Sequence, residues 1–349
     1  MMTDHYLSVA RSGAAGAVAE DAGPPVLLAP LSGVTDLHMR RIARRLGASA
    51  VVSEMVAAAE FARGENEARL RAEGSGVHPH VVQLAGCAPA PMAEAARLCE
   101  AAGADIIDIN MGCPAKKVTG GEAGSALMRD LDHATRILAA VRDAVRVPVT
   151  LKMRLGWDHA SLNAPDLARR AQALGLSAVT VHGRTRQQFY TGSADWPAIR
   201  SVVEAVAIPV IANGDIGSFD EARACLAASG AAGVMVGRAA IGRPWLVGQI
   251  ADGLAGRPVR SLARAERAAI AAEHYEGLID LYGAAMGVRH ARKHLAAYVD
   301  EAGRIRPALN AADRTRLLTT HDPGTALALL RRAFLEPAGG SAAPIEEAA

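Results

Sequence analysis

The chain has 349 residues, is 50% hydrophobic and 21% charged, and carries a net charge of +2. That is room for one barrel-sized domain of about 250 residues and a smaller companion. Four cysteines, Cys87, Cys99, Cys113 and Cys225, lie scattered without CxxC or Cys/His ligand spacing, so neither a disulfide framework nor a structural zinc site is indicated and no metal is expected.

The first 25 residues carry Asp4, Glu20 and Asp21 and lack a compact apolar segment, and nowhere do about 18 apolar residues run uninterrupted. A reducing, cytoplasmic location and no membrane contact are expected. Residues 1–23 are rich in Gly and Ala and read as a loose lead-in. Then short apolar, β-branched runs recur at 26–30, 50–55, 80–85, 105–110, 148–154, 178–184, 209–215 and 232–238. Helix-like stretches rich in Ala, Leu and Arg separate them, at 37–46, 90–102, 131–145, 165–174, 196–206 and 218–228. Eight such units, with no GxGxxG after the first strand, predict a (β/α)8 barrel over 24–255 rather than a doubly wound open sheet. From about 260 the strand rhythm stops. Helical pattern at 263–282 and 286–299, then more loosely to Phe334, predicts a smaller all-helical domain over 256–336, and the small, acidic residues 337–349 read as a disordered tail.

Polar residues fall at the same place in each barrel unit: Ser32, Glu54, Gln83, Asn110 with Cys113, Lys152 with Arg154, His182 with Arg184, Asn213 with Asp215, and Arg238. All lie at or near C-terminal strand ends, the rim that carries the active site in this fold. Asn213-Gly214-Asp215 closes strand 7 and Gly237-Arg238 closes strand 8, the corner where barrels of this kind bind phosphate through backbone N–H groups and a cation. A phosphate-bearing cofactor is the simplest ligand. Lys152 and His182 would face its body. A cation fixed there stabilises negative charge developing on a ring, which suits a reduced flavin better than a sugar or a plain phosphate ester. The bland alternative for Lys152 is a salt bridge to a neighbour such as Glu54. Cys113, on a mobile-looking Gly-rich loop after strand 4, has no base beside it in sequence, so a proton-donating thiol is as plausible as a thiolate nucleophile.

The helical segment 289–332 holds nine arginines and lysines against four acids, so it is +5 while the rest of the chain sums to −3. A basic module on a mildly acidic one suits a polyanionic partner, the bland alternative being solvated helix faces.

The runs APLSGVTD (29–36), INMGCPAKK (109–117) leading to GSALM (124–128), VTLKMRLGW (149–157), TVHGRTR (180–186), IANGDI (211–216) and MVGRAAIGRPW (235–245) resemble the tRNA-dihydrouridine synthases, in particular their bacterial B-type subfamily. The similarity runs from about residue 25 to 250 and returns at GVRHARKHLAAY (287–298). It implies an enzyme that binds FMN in the barrel mouth, is reduced by NADPH (or NADH), and reduces the C5–C6 double bond of a tRNA uridine, with no obligate protein partner evident. By matching positions, Ala29, Pro30, Leu31 and Gln83 would line the isoalloxazine. Lys152 and His182 would contact the ring and ribityl-phosphate region, and Asn213, Gly214, Asp215, Gly237 and Arg238 would hold the ribityl chain and phosphate. Cys113 would give a proton to C5, while Asn110, Arg184 and Thr185 would orient the flipped uracil. Arg289, Arg292 and Lys293 at helical spacing, with Lys116 and Lys117, would form a track for the tRNA backbone. Leu31 departs from the Met found in many members. The alternative is an FMN-dependent reductase of a free pyrimidine or another small enone. A non-enzymatic RNA-binding barrel fits the intact Lys152, Cys113 and phosphate-type loops poorly, and the absence of CxxC motifs argues against the larger iron–sulfur enzymes.

Overall fold

The apolar runs become strands because their residues are buried on both faces, by the barrel interior and by the outer helices, which is the setting in which parallel strands form. The computed structural model describes residues 23–119, 121–304 and 308–336. Its strands are β1 (Val26–Leu28), β2 (Ala50–Val52), β3 (Val56–Ala57), β4 (His80–Ala85), β5 (Ile106–Met111), β6 (Val149–Arg154), β7 (Ala178–His182), β8 (Val210–Asn213) and β9 (Gly233–Val236). Every ladder is parallel, and the sheet closes because β1 pairs with both β2 and β9 while β2 also pairs with β4. This is the expected eight-stranded barrel, with β2 and β3 as two pieces of one strand.

That second strand is the one place where a predicted run is split. Ser53 turns its hydroxyl to the backbone, accepting from Gln83 N–H at 2.9 Å and donating to Glu54 C=O at 2.8 Å, and Glu54 accepts from Gly33 N–H with its carboxylate. The run at 209–215 also stops short, at Asn213, because Gly214 (φ 120°) and Asp215 (φ 53°) turn the chain out of the strand. Helices Ala58–Ala62, Asn66–Ala72 and Leu246–Leu254 stand where no helix is predicted.

Inside the barrel the two-residue alternation of the strands sorts the side chains by height. Leu27, Ala29, Ala50, Val52, Val81, Ile106, Ile211 and Met235 form one buried apolar cluster. Two residues further along the same strands stand Gln83, Asp108 and Asn213. The register sets Gln83 beside Asp108, Asp108 beside Thr150, Asn110 beside Lys152, and His182 beside both Arg154 and Asn213. An apolar layer therefore gives way to a polar one toward the C-terminal ends.

The chain divides into two compact units, one running to Ala240 and resuming at Pro244–Val259, the other made of Ile241–Arg243 and the chain from Arg260 on. The division falls at 259–260, beyond the expected 255–256. Ile241–Arg243 joins the helical unit because Gly242 lies against helix residue Ala297, so close that a Cβ would come 2.5 Å from its carbonyl oxygen. The helical unit consists of Arg264–Ala302, Ala311–Thr319 and Pro323–Leu335. Its long helix breaks at Gly283 (φ 73°, ψ 161°), inside the gap expected between 282 and 286. Arg264 at its start donates to Phe334 C=O at 2.5 Å, placing a cation on the carbonyl end of the last helix. The lead-in 1–22 and the tail 337–349 lie outside the described residues.

Candidate active site

Two of the four cysteines are inert by burial: the thiols of Cys99 and Cys225 are pushed up to about 12 by desolvation. Cys113 is half-buried just past β5. Its N–H donates to Asn110 Oδ1 at 3.0 Å, alongside Gly112 N–H at 3.1 Å. Its carbonyl accepts from Ser125 N–H at 3.1 Å and Ser125 Oγ at 2.9 Å. Gly124, at φ 60°, comes so near that a Cβ would lie 2.8 Å from the same carbonyl oxygen. The Gly-Ser after the Cys loop is thus the other half of its clamp, and the backbone at Cys113 is fixed where the glycine content suggested mobility.

Asn110 is oriented from below. Its Nδ2 donates to Gln83 Oε1 at 2.7 Å, Gln83 Nε2 donates to Asp108 Oδ2 at 2.7 Å, and Thr150 Oγ1 donates to Asp108 Oδ1 at 2.6 Å. Burial raises the Asp108 pKa, opposed by the bonds from Thr150 and Gln83 and by the charge of Lys152. Neither Asp108 nor Thr150 stands out in the sequence, where Asp108 is one polar residue inside an apolar strand.

Lys152 donates to Asn213 Oδ1 at 3.1 Å, and Asn213 Nδ2 donates in turn to Met235 C=O at 2.8 Å. Its described bond goes to Asn213 rather than to Glu54. Burial, and then the charge of Arg154, lower the Lys152 ammonium to about 8, while Asp108 and Cys113 act in the opposite direction. At neutral pH it is mostly a cation, with two of its three donors left for a ligand. His182 is held well below the ordinary histidine range, first by burial and then by Lys152, Arg154, Arg184 and Arg238. It is a neutral imidazole at neutral pH, its Nε2 3.3 Å from Arg184 Nη1.

Arg184 is fully committed to the protein. It forks onto Asp215 with Nη1 to Oδ1 at 3.0 Å and Nη2 to Oδ2 at 2.5 Å, and reaches Thr191 C=O with Nε at 3.2 Å and Gly192 C=O with Nη2 at 2.6 Å. With the contact to His182 all five guanidinium donors are used. Thr185 is buried as well, and its carbonyl accepts from Arg154 Nη1 at 2.8 Å. The pair expected to orient a uracil shapes the loop after β7 instead. Burial alone would raise the Asp215 carboxyl; Arg184, the Ala194 N–H and the nearby Arg238 outweigh it and leave it below the usual range.

The remaining residues stand at or just past the ends of the paired strands β1, β8 and β9. Gly214 packs on His182, where a Cβ would come 2.9 Å from the ring. Gly237 is different: a Cβ there would find only Ala29 Cβ, at 4.0 Å. Ala29 is buried and its N–H donates to Val236 C=O at 2.8 Å, while Leu31, next to the half-buried Pro30, is fixed through its N–H to Thr35 Oγ1 at 2.9 Å. Arg238 is exposed, 3.3 Å from Asp215 and stacked 4.7 Å from the Tyr190 ring centre.

Arg154 carries more than its strand-end position suggested, donating from Nε to Gly112 C=O at 2.8 Å and lying 5.6 Å from the Tyr190 ring centre. Beside it stands a stack absent from the expected site, with Arg129 and Arg186 lying 5.0 and 4.9 Å from the Trp157 ring centre. The signal was present as aromatics interleaved with basic residues at 154–157 and 184–190.

Lys116 is exposed, and the side chain of Lys117 lies outside the described residues. In the helical unit Arg289 and Lys293 are exposed one turn apart, whereas Arg292 turns toward Thr319 C=O at 3.4 Å and leaves its Nε buried without a partner. Spaced three and four residues apart, the three lie on one side of the helix, with Arg292 half-buried and tied to Thr319.

A closed barrel whose C-terminal mouth gathers a half-buried thiol, a desolvated lysine and glycine-bearing strand ends is the architecture of a (β/α)8-barrel enzyme. The chain belongs to the dihydrouridine synthase (Dus) family, whose sequence profile matches residues 27–334. It is 52% identical over 309 residues to a probable tRNA-dihydrouridine synthase of Rhizobium leguminosarum bv. phaseoli, covering 88% of this chain and 95% of that one. The probable tRNA-dihydrouridine synthase of Rhodobacter capsulatus is 52% identical over 316 residues, covering 90% and 95%. The tRNA-dihydrouridine synthase B of Xanthomonas campestris pv. campestris is 45% identical over 333 residues, covering 93% and 97%. Among the described residues no helix is long and apolar enough to cross a membrane.

Proposed function

We propose that this protein reduces the C5–C6 double bond of uridines in the D-loop of tRNA to dihydrouridine, with FMN bound in the barrel mouth and NADPH (or NADH) as the source of electrons. The observation that carries the reading is Cys113, fixed by Asn110 and Ser125 beside the desolvated Lys152. The residues present fit the cofactor. Gly237 borders space that a Cβ would enter rather than fill, flanked by Arg238, and Lys152 retains free donors. Ala29, Pro30, Leu31 and Gln83 would line the ring, Lys152 and His182 would contact it and the ribityl-phosphate, and Asn213, Gly214, Asp215, Gly237 and Arg238 would hold the chain and phosphate. FMN, when bound, supplies the hydride that arrives at C6.

The protein does the rest. Cys113 donates its Sγ proton to C5 and later recovers one from water, so one hydride and one proton saturate the bond. Lys152 stabilises negative charge beside the ring because it is a cation in a poorly solvated place. Neutral His182 adds no charge there and can donate or accept a hydrogen bond. Asn110 keeps one Nδ2 proton for the uracil while holding the Cys113 loop. Arg184 and Thr185 position the surrounding loop and the phosphate-side Asp215. The target base must leave its stack, at a cost of a few kcal/mol that phosphate contacts offset. Arg289 and Lys293, with Lys116, Lys117 and the inward-turned Arg292, supply cations for those contacts. Such an enzyme works in the cytoplasm on tRNA.

The test is the Cys113→Ala variant. It is expected to retain FMN and to oxidise NADPH while forming dihydrouridine at least about a hundredfold more slowly, the usual scale for losing a positioned acid. Dihydrouridine formation at the wild-type rate removes Cys113 from the reaction.

A further inference from the structure

We propose that Asp108, a carboxylate for which the uridine reaction has no chemical use, is a positioning residue: it sets which way the amides of Gln83 and Asn110 point and thereby where Cys113 stands. The inference rests on the reading of Cys113 as the proton donor. The chain of bonds is continuous, running from Thr150 and Asp108 through Gln83 and Asn110 to the N–H groups of Gly112 and Cys113. Gln83 is 0% exposed, Thr150 2%, Asp108 5% and Asn110 7%, so bulk water cannot substitute for any link.

The logic is one of donors and acceptors. A primary amide has one accepting end and one donating end, so each link dictates the sense of the next. Both Asp108 oxygens act as acceptors, Oδ1 from the Thr150 hydroxyl and Oδ2 from Gln83, so Gln83 presents Nε2 rather than Oε1 to the carboxyl group. Gln83 Oε1 then faces Asn110 and must meet Nδ2. That leaves Asn110 Oδ1 as the acceptor for the Gly112 and Cys113 N–H groups. In the opposite sense Nδ2 would meet two backbone donors and the Cys113 loop would lose its hold. The Gly112 and Cys113 N–H groups favour the same sense from the loop end, and Asp108 enforces it from within the barrel, so removing Asp108 leaves the loop to hold the amides alone. The charge of Asp108 also faces Lys152, so the variants below separate charge from hydrogen-bond sense.

Three variants of the flavin-loaded enzyme are compared: Asp108→Ala, Asp108→Asn, and Asp108→Asn combined with Thr150→Val. The readouts are the rate of uridine reduction in tRNA by pre-reduced enzyme, the rate of flavin reduction by NADPH, and the iodoacetamide alkylation rate of Cys113 followed by peptide mapping. Asp108→Ala is expected to slow uridine reduction about tenfold or more and to change Cys113 alkylation at least about threefold, with flavin reduction by NADPH within about threefold. Asp108→Asn restores most of the loss, because the new amide can accept from Gln83 while the Thr150 hydroxyl turns to accept its other end. Adding Thr150→Val removes that acceptor and abolishes the rescue.

Wild-type uridine reduction and alkylation in Asp108→Ala would overturn the proposal. So would an Asp108→Asn variant as impaired as Asp108→Ala, which would make the charge rather than the bond sense decisive. If Asp108→Ala loses its flavin or fold, the two Asn-bearing variants decide: rescue lost with Thr150→Val supports the role, and equal rates refute it. Cys113→Ala is run alongside. If that variant still reduces uridine, the Cys113 reading fails and the positioning role with it. If it is inactive while Asp108→Ala is active, only the positioning role fails.

Discussion

Lys152 destabilises the fold it serves, and that cost can be measured. Burial, and then Arg154, lower its ammonium from 10.5 to about 8. A base whose folded pKa is depressed holds its proton more weakly in the folded chain than in the unfolded one. The charged form therefore destabilises the fold by on the order of 3 kcal/mol below pH about 8. As pH rises from about 8 to 10.5 the folded state gives up its proton first, and stability rises relative to a chain without the lysine; above 10.5 the difference is gone. Lys152→Met keeps an unbranched side chain one atom shorter and removes this cost. It also strands Asn213 Oδ1, which loses its bond at 3.1 Å, and takes the cation away from Asp108, which can respond by binding a proton. Deducting about 1–2 kcal/mol for those losses leaves a net gain near 1–2 kcal/mol at neutral pH.

The assay is urea unfolding of the flavin-stripped barrel, wild type against Lys152→Met, at about pH 7 and about pH 10. The variant is expected to be more stable at the lower pH, by about 2–6 °C if followed thermally, and to lose that advantage at the higher one. Uridine reduction by the reloaded variant is expected to fall, because the cation proposed to stabilise charge in the mouth is gone. A variant less stable than wild type by more than about 1 kcal/mol, by the same amount at both pH values, would refute the reasoning.

Further outcomes follow from individual residues. Gly124→Ala, at φ 60° with a Cβ 2.8 Å from Cys113 C=O, is expected to cost about 1–3 kcal/mol in unfolding free energy and to slow uridine reduction without reducing flavin content. Gly283→Ala meets nothing within 4 Å, yet its φ of 73° and ψ of 161° belong to a region open essentially to glycine alone. The helical unit should therefore become less stable by about 1–3 kcal/mol in calorimetry although the new methyl group clashes with nothing. Alanine at Arg289 and Lys293 together should weaken tRNA binding and reduce the slope of log affinity against log salt by about one for each phosphate no longer neutralised, at unchanged stability. Arg292→Ala should differ from both by altering stability, since its guanidinium is turned toward Thr319.

The barrel was legible because a closed parallel sheet writes itself into sequence as repeated apolar runs with polar residues at one end. Lys152, His182, Asn213 and Gly237 could be placed at one mouth from position in the repeat alone. Boundaries were read less well where side chains compete with the ladder: Ser53 and Glu54 look like strand residues until their oxygens find the backbone of Gln83 and Gly33. Ala58–Ala62 and Asn66–Ala72 were missed because short, charged helices on a rim have no sustained apolar stripe.

Within the site, the strand-end position of Arg184 matched that of a ligand-binding residue. Only its five engaged donors distinguish a residue that builds the pocket from one that reads a substrate. Asp108 illustrates the opposite case. A carboxylate inside an apolar strand is conspicuous only when its partners are known, and these come from strands β4 and β6, distant in sequence. The pairing of Cys113 with Ser125 was half visible, since GSAL follows MGCP, but the clamp it forms depends on the turn at Gly124.

The most direct test is position-resolved dihydrouridine in tRNA lacking the modification, incubated with purified enzyme, FMN and NADPH, with wild type and Cys113→Ala in parallel. Dihydrouridine appearing at defined D-loop uridines with the wild type and not with the variant is the predicted result. Undiminished formation by Cys113→Ala, or no product in tRNA while a free pyrimidine is reduced, would contradict it.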